Sequence, residues 1–169
     1  KGFDLVRYVF DEMIGVDIQV VVLGSGEKQY EDFFTEMHWR YPDKVGFYKG
    51  YNAPLAKRLY AGADMFLMPS KSEPCGLAQM IAARYGTVPI VRATGGLKDS
   101  IIDYGDNGIG FTFQSYNAHD MLNAVRRAKG VWDNKSEWSK LVTRAMKADF
   151  SWAASAKLYI GLYKELCGE

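Results

Sequence analysis

The sequence carries no excess of charge of one sign: 21 Lys and Arg stand against 20 Asp and Glu, a net charge of +1. Binders of nucleic acid or acidic membranes usually show a basic surplus, so charge points to neither partner. There is no run of about 18 apolar residues, so no segment reads as a membrane-spanning helix. Cysteine is scarce. Cys75 and Cys167 lie far apart, form no CxxC pair and share no ligand spacing with His38 or His119. Two free thiols in a reducing compartment are expected, and no metal site. Without partner spacing, the two histidines read as solvated or structural. Repeats, low-complexity stretches and internal linkers are lacking as well, and Lys1-Gly2-Phe3-Asp4 is no signal peptide. The sequence opens without Met and runs at once into a helical pattern, so it is expected to be a segment cut from something longer.

What is present is an ordinary globular balance, 48% apolar and 24% charged over 169 residues, enough for one domain with a core. Leu5, Val9 and Met13 recur every four residues, as do Val6, Phe10 and Ile14, which predicts one amphipathic helix. Ile18 to Leu23 is a β-branched run closed by Gly24-Ser25-Gly26, as in a strand buried on both faces. Glu27 to Tyr41 reads as a helix stopped by Pro42, and Val45 to Tyr48 as a short strand. Leu55 to Ala63 follows Pro54, which suits a helix start. Met65 to Met68 is a strand ended by Pro69-Ser70. Gly76 to Tyr85 reads as a helix, Val88 to Val91 as a strand and Gly110 to Phe113 as a weaker one. The tail is helical, with faces at Met121, Leu122 and Val125, at Trp138, Leu141, Val142 and Ala145, and at Ala156, Ile160 and Tyr163. Strands alternating with helices imply right-handed crossovers. The predicted fold is α/β, a Rossmann-like doubly wound parallel β-sheet with helices on both faces and a helical C-terminal extension.

In open sheets of this kind the ligand sits beyond the carboxyl ends of the strands. Those ends are Gly24-Ser25-Gly26, Lys49-Gly50-Tyr51, Pro69 to Gly76 and Arg92 to Gly96. Ser72-Glu73-Pro74-Cys75-Gly76-Leu77-Ala78-Gln79 joins a strand to a helix. The free N–H groups near Gly76, Leu77 and Ala78 would form a phosphate seat. Glu73 could accept hydrogen bonds from hydroxyls; equally, it could cap the helix electrostatically, with Gly76 only fitting a turn.

Several of these segments resemble one family. Pro69-Ser70, Glu73-Pro74-Cys75-Gly76-Leu77, Gln79, Arg84-Tyr85-Gly86-Thr87 and Pro89 resemble the signature of the ADP-glucose-dependent glycogen and starch synthases, of glycosyltransferase family 5. Lys1-Gly2-Phe3-Asp4-Leu5, Leu23-Gly24-Ser25-Gly26, Arg92-Ala93-Thr94-Gly95-Gly96-Leu97-Lys98-Asp99 and Phe150-Ser151-Trp152 match in order and spacing, so the similarity covers essentially the whole chain.

The resemblance implies the C-terminal, nucleotide-sugar-binding half of a GT-B glycosyltransferase: one Rossmann-like domain over 1–169. Its final helix, 151–169, would pack back on an N-terminal domain that lies outside this sequence. It implies a retaining transfer of glucose from ADP-glucose to the non-reducing end of an α-1,4-glucan, with no cofactor or metal. Lys1 and Glu73 would be the catalytic residues, Lys1 on the diphosphate and Glu73 on glucose hydroxyls. Gly24, Gly26, Tyr51, Cys75, Gly76, Leu77, Ala78, Thr94, Gly95 and Gly96 would bind the donor. Within that set the amides of Leu77 and Ala78 would hold phosphate oxygens, and Tyr51 would lie against adenine. Lys1 could instead be a frayed terminus, Tyr51 an ordinary loop tyrosine and Thr94-Gly95-Gly96 a plain turn. No residue is an obvious covalent nucleophile, so the resemblance implies front-face attack assisted by the departing phosphate. Without the acceptor wall and catalytic histidine of the first domain, the segment alone is expected to be inactive. Bacterial glycogen synthesis implies the cytoplasm; plastid starch synthesis is the alternative.

The sequence also departs from the family. Ala78 stands where relatives often have threonine, and Ile81 where wider GT-B families have an acid. Three rivals stay open. One is a related GT-B enzyme with another nucleotide-sugar donor. Another is a non-catalytic glucan-binding module using Trp39, Trp132, Trp138 and Trp152. The third is a nicotinamide dehydrogenase, disfavoured because the GxGxxG that begins at Gly24 ends on Gln29.

Overall fold

The computed structural model describes residues 1–168. In chain order its elements are α1 (Phe3–Tyr8), α2 (Phe10–Ile14), β1 (Val20–Gly24), α3 (Lys28–Arg40), β2 (Val45–Lys49), α4 (Ala53–Gly62) and β3 (Met65–Met68). Then come α5 (Ala78–Tyr85), β4 (Val88–Arg92), α6 (Gly95–Ser100), a 3₁₀ turn (Tyr104–Asp106), β5 (Phe111–Phe113), α7 (Ala118–Asp133), α8 (Lys135–Lys147) and α9 (Trp152–Cys167). Short polar side chains fix four of the helix starts. Asn52 accepts from the Leu55 amide, Asn117 from His119 and Asp120, Asn134 from Glu137, and Ser151 from Ala154, each satisfying an amide the helix cannot.

All strand pairs are parallel, and they form two ladders, β1 with β2 and β3–β4–β5 in that order. The predicted α/β class with parallel strands is what the chain adopts. One apolar core serves both ladders. Val20 and Val22 of β1 and Met65 and Leu67 of β3 pack against the cluster built from Leu5, Phe10, Met13, Phe34, Ile90, Met121 and Leu141. A smaller cluster, Val91, Leu97 and Ile101, lies on the opposite face of β4, because neighbouring residues of a strand point to opposite sides.

Several boundaries differ from the sequence reading. Val9 leaves helical geometry (φ −110°, ψ 17°), so the predicted first helix is two. β1 starts at Val20, and Val21 is 57% exposed, so the strand is not buried on both faces. Gly95 and Gly96 open α6 rather than forming a plain turn; two glycines are poor helix formers and hid it. The tail faces at Met121, Leu122 and Val125 and at Trp138, Leu141 and Ala145 are buried as predicted, while Val142 of the second face is only half-buried. That of α9 is not: none of its described residues is buried, and Leu158 is 78% exposed.

This contrast generates a stability prediction. Leu141, 0% exposed, sits where truncation leaves a cavity, so Leu141→Ala should cost about 2–5 kcal/mol in denaturant unfolding. Leu158→Ala on α9 should stay within about 0.5 kcal/mol of the parent. Equal losses would show that α9 packs on the core after all.

Candidate functional site

The loop after β3 and the loop after β4 meet at the carboxyl edge of their ladder, and backbone holds them together. The Gly96 amide donates to the carbonyls of Glu73 (3.1 Å) and Pro74 (3.2 Å). A Cβ on Gly95 would lie 2.2 Å from the Glu73 oxygen, and one on Gly96 2.2 Å from the Cys75 oxygen. Only glycine permits this approach. Gln79, 0% exposed, ties the same loops from below. Its Nε2 donates to the Gly76 carbonyl at 2.9 Å and to Ser100 Oγ at 3.0 Å, and Ser100 Oγ donates to the Gly96 carbonyl at 2.6 Å.

Above this floor stand the charges. Lys1 Nζ lies 2.6 Å from Glu73 Oε2, with the lysine side chain 66% exposed and the glutamate 11%. Ser70, itself buried, donates from Oγ to the same carboxylate oxygen at 3.3 Å. The hydrogen bond from Lys1 holds the Glu73 carboxyl below the ordinary glutamate range, against the opposing effect of burial. Lys1 is placed by Gly2, whose backbone (φ 85°) runs so close to Pro69 that a Cβ would lie 2.1 Å from its oxygen.

α5 begins at Ala78 with no side-chain cap, so the amides at Leu77 and Ala78 open the helix without an intrahelical partner. Its partial positive charge faces the loop that carries Glu73 and Cys75. A second network braces the first. Tyr116 donates from its hydroxyl to Asp4, and the Arg92 guanidinium lies over the Tyr116 ring and donates to the Lys71 carbonyl at 2.7 Å. Burial, and then the bond to Asp4, push the Tyr116 hydroxyl up to about 12, so it stays a donor at any working pH.

The structure therefore brings together Lys1, Glu73, Cys75, Gly76, Thr94, Gly95 and Gly96, with Leu77 and Ala78 at the helix start. Cys75 is exposed, its Sγ 3.6 Å from the Gly76 carbonyl. Gly24 and Gly26 lie at the end of the other ladder. There the Gly26 amide donates to Glu31 (3.0 Å), which pairs with Lys49 at 2.7 Å. Tyr51 stands 91% exposed on the adjacent loop. Sequence reasoning did not name Ser100, Tyr116 or Glu31, and quoted Ser70 and Arg92 only as parts of motifs. A polar Ser-Glu or Gln-Ser pairing across loops has no periodic signature. Gln79 was quoted only as part of a motif, and the one available hint was a long polar residue on the inner face of an apolar helix.

His38 Nδ1 lies 2.6 Å from the Val45 carbonyl and His119 pairs with Glu12, so both serve structure, as expected. Both cysteines are free. Among the described residues no group of His, Cys, Asp or Glu could hold a metal ion, and no helix is long and apolar enough to cross a membrane.

Comparison with known proteins bears on family and fold. The profile of the glycosyl transferases group 1 family matches residues 1–140. Glycogen synthase of Geobacillus thermodenitrificans is 53% identical over 98% of this chain and 35% of that protein. The catalytic domain of starch synthase IV from Arabidopsis thaliana, bound to ADP and acarbose, superposes with a TM-score of 0.86. It is 36% identical, over 100% of this chain and 36% of that one. Sucrose-phosphate synthase from Thermosynechococcus elongatus, 23% identical with a TM-score of 0.66 over 99% of this chain and 43% of that one, shares the fold. The chain thus spans about a third of the length of the curated relatives it matches, 35% in the first case.

The ion pair can be tested directly. Since Lys1 lowers the Glu73 pKa, the pair's contribution to stability is present above the ordinary glutamate pKa and lost as pH falls through the lower, folded value. In a carboxyl NMR titration Glu73 should ionise below a reference glutamate, and Lys1→Met should move its midpoint up. An unmoved midpoint would assign the shift to something other than Lys1.

Proposed function

We propose a function from one premise: this chain belongs to the glycosyl transferases group 1 family. It is the donor-binding half of a retaining glucosyltransferase that moves glucose from ADP-glucose to the non-reducing end of an α-1,4-glucan. The observation that carries the reading is the Lys1–Glu73 pair set against the uncapped start of α5. When the glucose–diphosphate bond breaks, negative charge grows on the diphosphate. A lysine and a helix start stabilise charge where it develops. In this reading a bound donor draws Lys1 toward phosphate and frees the Glu73 carboxylate for glucose hydroxyls. The amides of Leu77 and Ala78 hold phosphate oxygens, Thr94, Gly95 and Gly96 line the phosphate and glucose side, and Gly24, Gly26 and Tyr51 border the nucleoside.

Two similarities support the glucan and adenine parts: the 53% identity to a glycogen synthase and the 36% identity to a starch synthase solved with ADP and acarbose. The reaction as proposed uses no metal or cofactor and takes place in the bacterial cytoplasm. The acceptor lies against a preceding domain, and α9, with Trp152 and Leu158 88% and 78% exposed, packs back on it.

Calorimetry with ADP, UDP and GDP tests the donor assignment: ADP should bind, and bind best. Equal binding of all three favours a family member with another donor. In the longer enzyme, Glu73→Gln should lower glucosyl transfer while ADP binding persists. Loss of one charge-assisted bond corresponds to about 1.5–3 kcal/mol, or roughly a 10- to 150-fold slower rate. Unfolding of that variant would make Glu73 structural.

A further inference from the structure

Past the last rung of the β1–β2 ladder, the two loops that leave these strands are joined by a side chain. The register ends at Gly24 against Lys49, and the Gly50 amide then donates to the Gly24 carbonyl at 3.0 Å. Among the described residues no further backbone bond links the two loops. Glu31, in the first turn of α3, spends neither carboxylate oxygen on its own helix. Its Oε1 accepts from the Gly26 amide at 3.0 Å, and its Oε2 lies 2.7 Å from Lys49 Nζ. The glutamate side chain is 14% exposed and the lysine 61%. The bond from Lys49, and then that from Gly26, hold the Glu31 carboxyl below the ordinary glutamate range against the opposing effect of burial, so it stays ionised and keeps both partners. The nearby Lys28–Asp32 pair differs: both side chains are more than half exposed, and it joins neighbouring turns of one helix.

Gly26 itself has no internal reason to be glycine. Its φ lies outside the left-handed region, and a Cβ there would meet no atom within 4 Å. Neither conformation nor packing calls for glycine here, in contrast to positions 95 and 96. Bare main chain beyond the carboxyl end of a parallel strand lets a ligand approach closely. Tyr51, two residues past Lys49, brings a ring that is 91% exposed to the adjoining loop.

We infer that Glu31 is a positioning residue for the nucleotide: by holding the Gly26 amide and the Lys49 ammonium at once, it sets the spacing between the glycine loop and the Tyr51 loop, and so shapes the nucleoside end of the site before the donor arrives. This role rests on the proposed function, which puts Gly24, Gly26 and Tyr51 at the nucleoside. Glu31 acts through the two loops and not by touching the donor. Loops ordered beforehand cost little to order on binding, so the effect falls on affinity. The Lys1–Glu73 pair stands at the end of the other ladder and acts where charge develops. The two ends therefore separate in kinetics: loss of Glu31 raises KM and keeps kcat, the mark of binding lost equally from ground state and transition state.

Steady-state kinetics of the longer enzyme with ADP-glucose and a glucan primer test this role. Glu31→Ala should raise KM for ADP-glucose on the order of 10-fold, with kcat within about twofold of the parent. Glu31→Gln keeps an acceptor for Gly26 and loses the ionic bond to Lys49, so its KM should fall between those of the parent and the alanine variant. An unchanged KM in Glu31→Ala, a loss confined to kcat, or a glutamine variant no better than alanine overturns the assignment. Should Glu31→Ala not fold, Lys49→Met cuts the bond to the second loop from an exposed side chain, and its KM must rise for the assignment to stand. A parent enzyme that does not use ADP-glucose sinks the proposed function and this role with it. A parent that does, with a KM indifferent to residue 31, sinks this role alone.

Discussion

The site rests on one close contact, the Gly96 amide against the carbonyls of Glu73 and Pro74. It joins two loops that leave different strands, and it forms because positions 95 and 96 carry no Cβ. A backbone contact of this kind cannot be tuned by rotamer changes; the loops either sit at this spacing or separate. Glu73 is therefore held by main chain from below and by Ser70 and Lys1 from above. Gln79 makes the arrangement cooperative. Its buried amide donates to Gly76 of one loop and to Ser100 of α6, which in turn donates to Gly96 of the other, so each loop's position depends on the other. Its Oε1 is buried without a hydrogen-bond partner in the described structure, a cost accepted where the geometry of the loops matters more than local stability.

Electrostatics follow from that geometry. A carboxylate buried to 11% exposure beside a helix start would be costly if left alone, because burial disfavours its charge. Lys1 offsets this, yet Lys1 is itself 66% exposed and sits at the beginning of α1, held only through Gly2 on Pro69. The cation is thus close enough to pair and free enough to change partner, as the proposed function requires when a diphosphate arrives. α1 is anchored one turn further on, where Asp4 accepts from Tyr116, whose ring also carries Arg92. The bracing lies behind the site and leaves its face open.

The sequence foretold most of the strands and the helices with strong apolar periodicity, because burial dictates both. Trp138, Leu141 and Ala145 appear on one face in the sequence and are buried in the structure. The loops were legible as sites from glycine and polar content at strand ends. Their mutual contact was not, since nothing local in Gly95-Gly96 says that Glu73 and Cys75 lie against it. Val9 and the two glycines of α6 misled for the opposite reason. Apolar spacing survives a one-residue break in a helix, and tertiary contact overrides the low propensity of glycine. The division of the sheet was the least legible feature. It depends on which strand stands beside which, information that no single strand carries.

The open surfaces are the last consequence of the same logic. A helix of 16 residues is marginal in water without packing, and α9 presents Trp152, Leu158 and Leu166 to solvent along that length. At a separate place in the fold, β1 and β3 belong to different ladders and do not pair with each other. Apolar surface and free backbone groups both cost free energy when left in water and unpaired, and a chain does not keep sequences suited to burial on two surfaces by chance. The two needs differ in kind. The strand edges need backbone groups to pair with. The helix needs an apolar surface, which in the proposed function a preceding domain would supply.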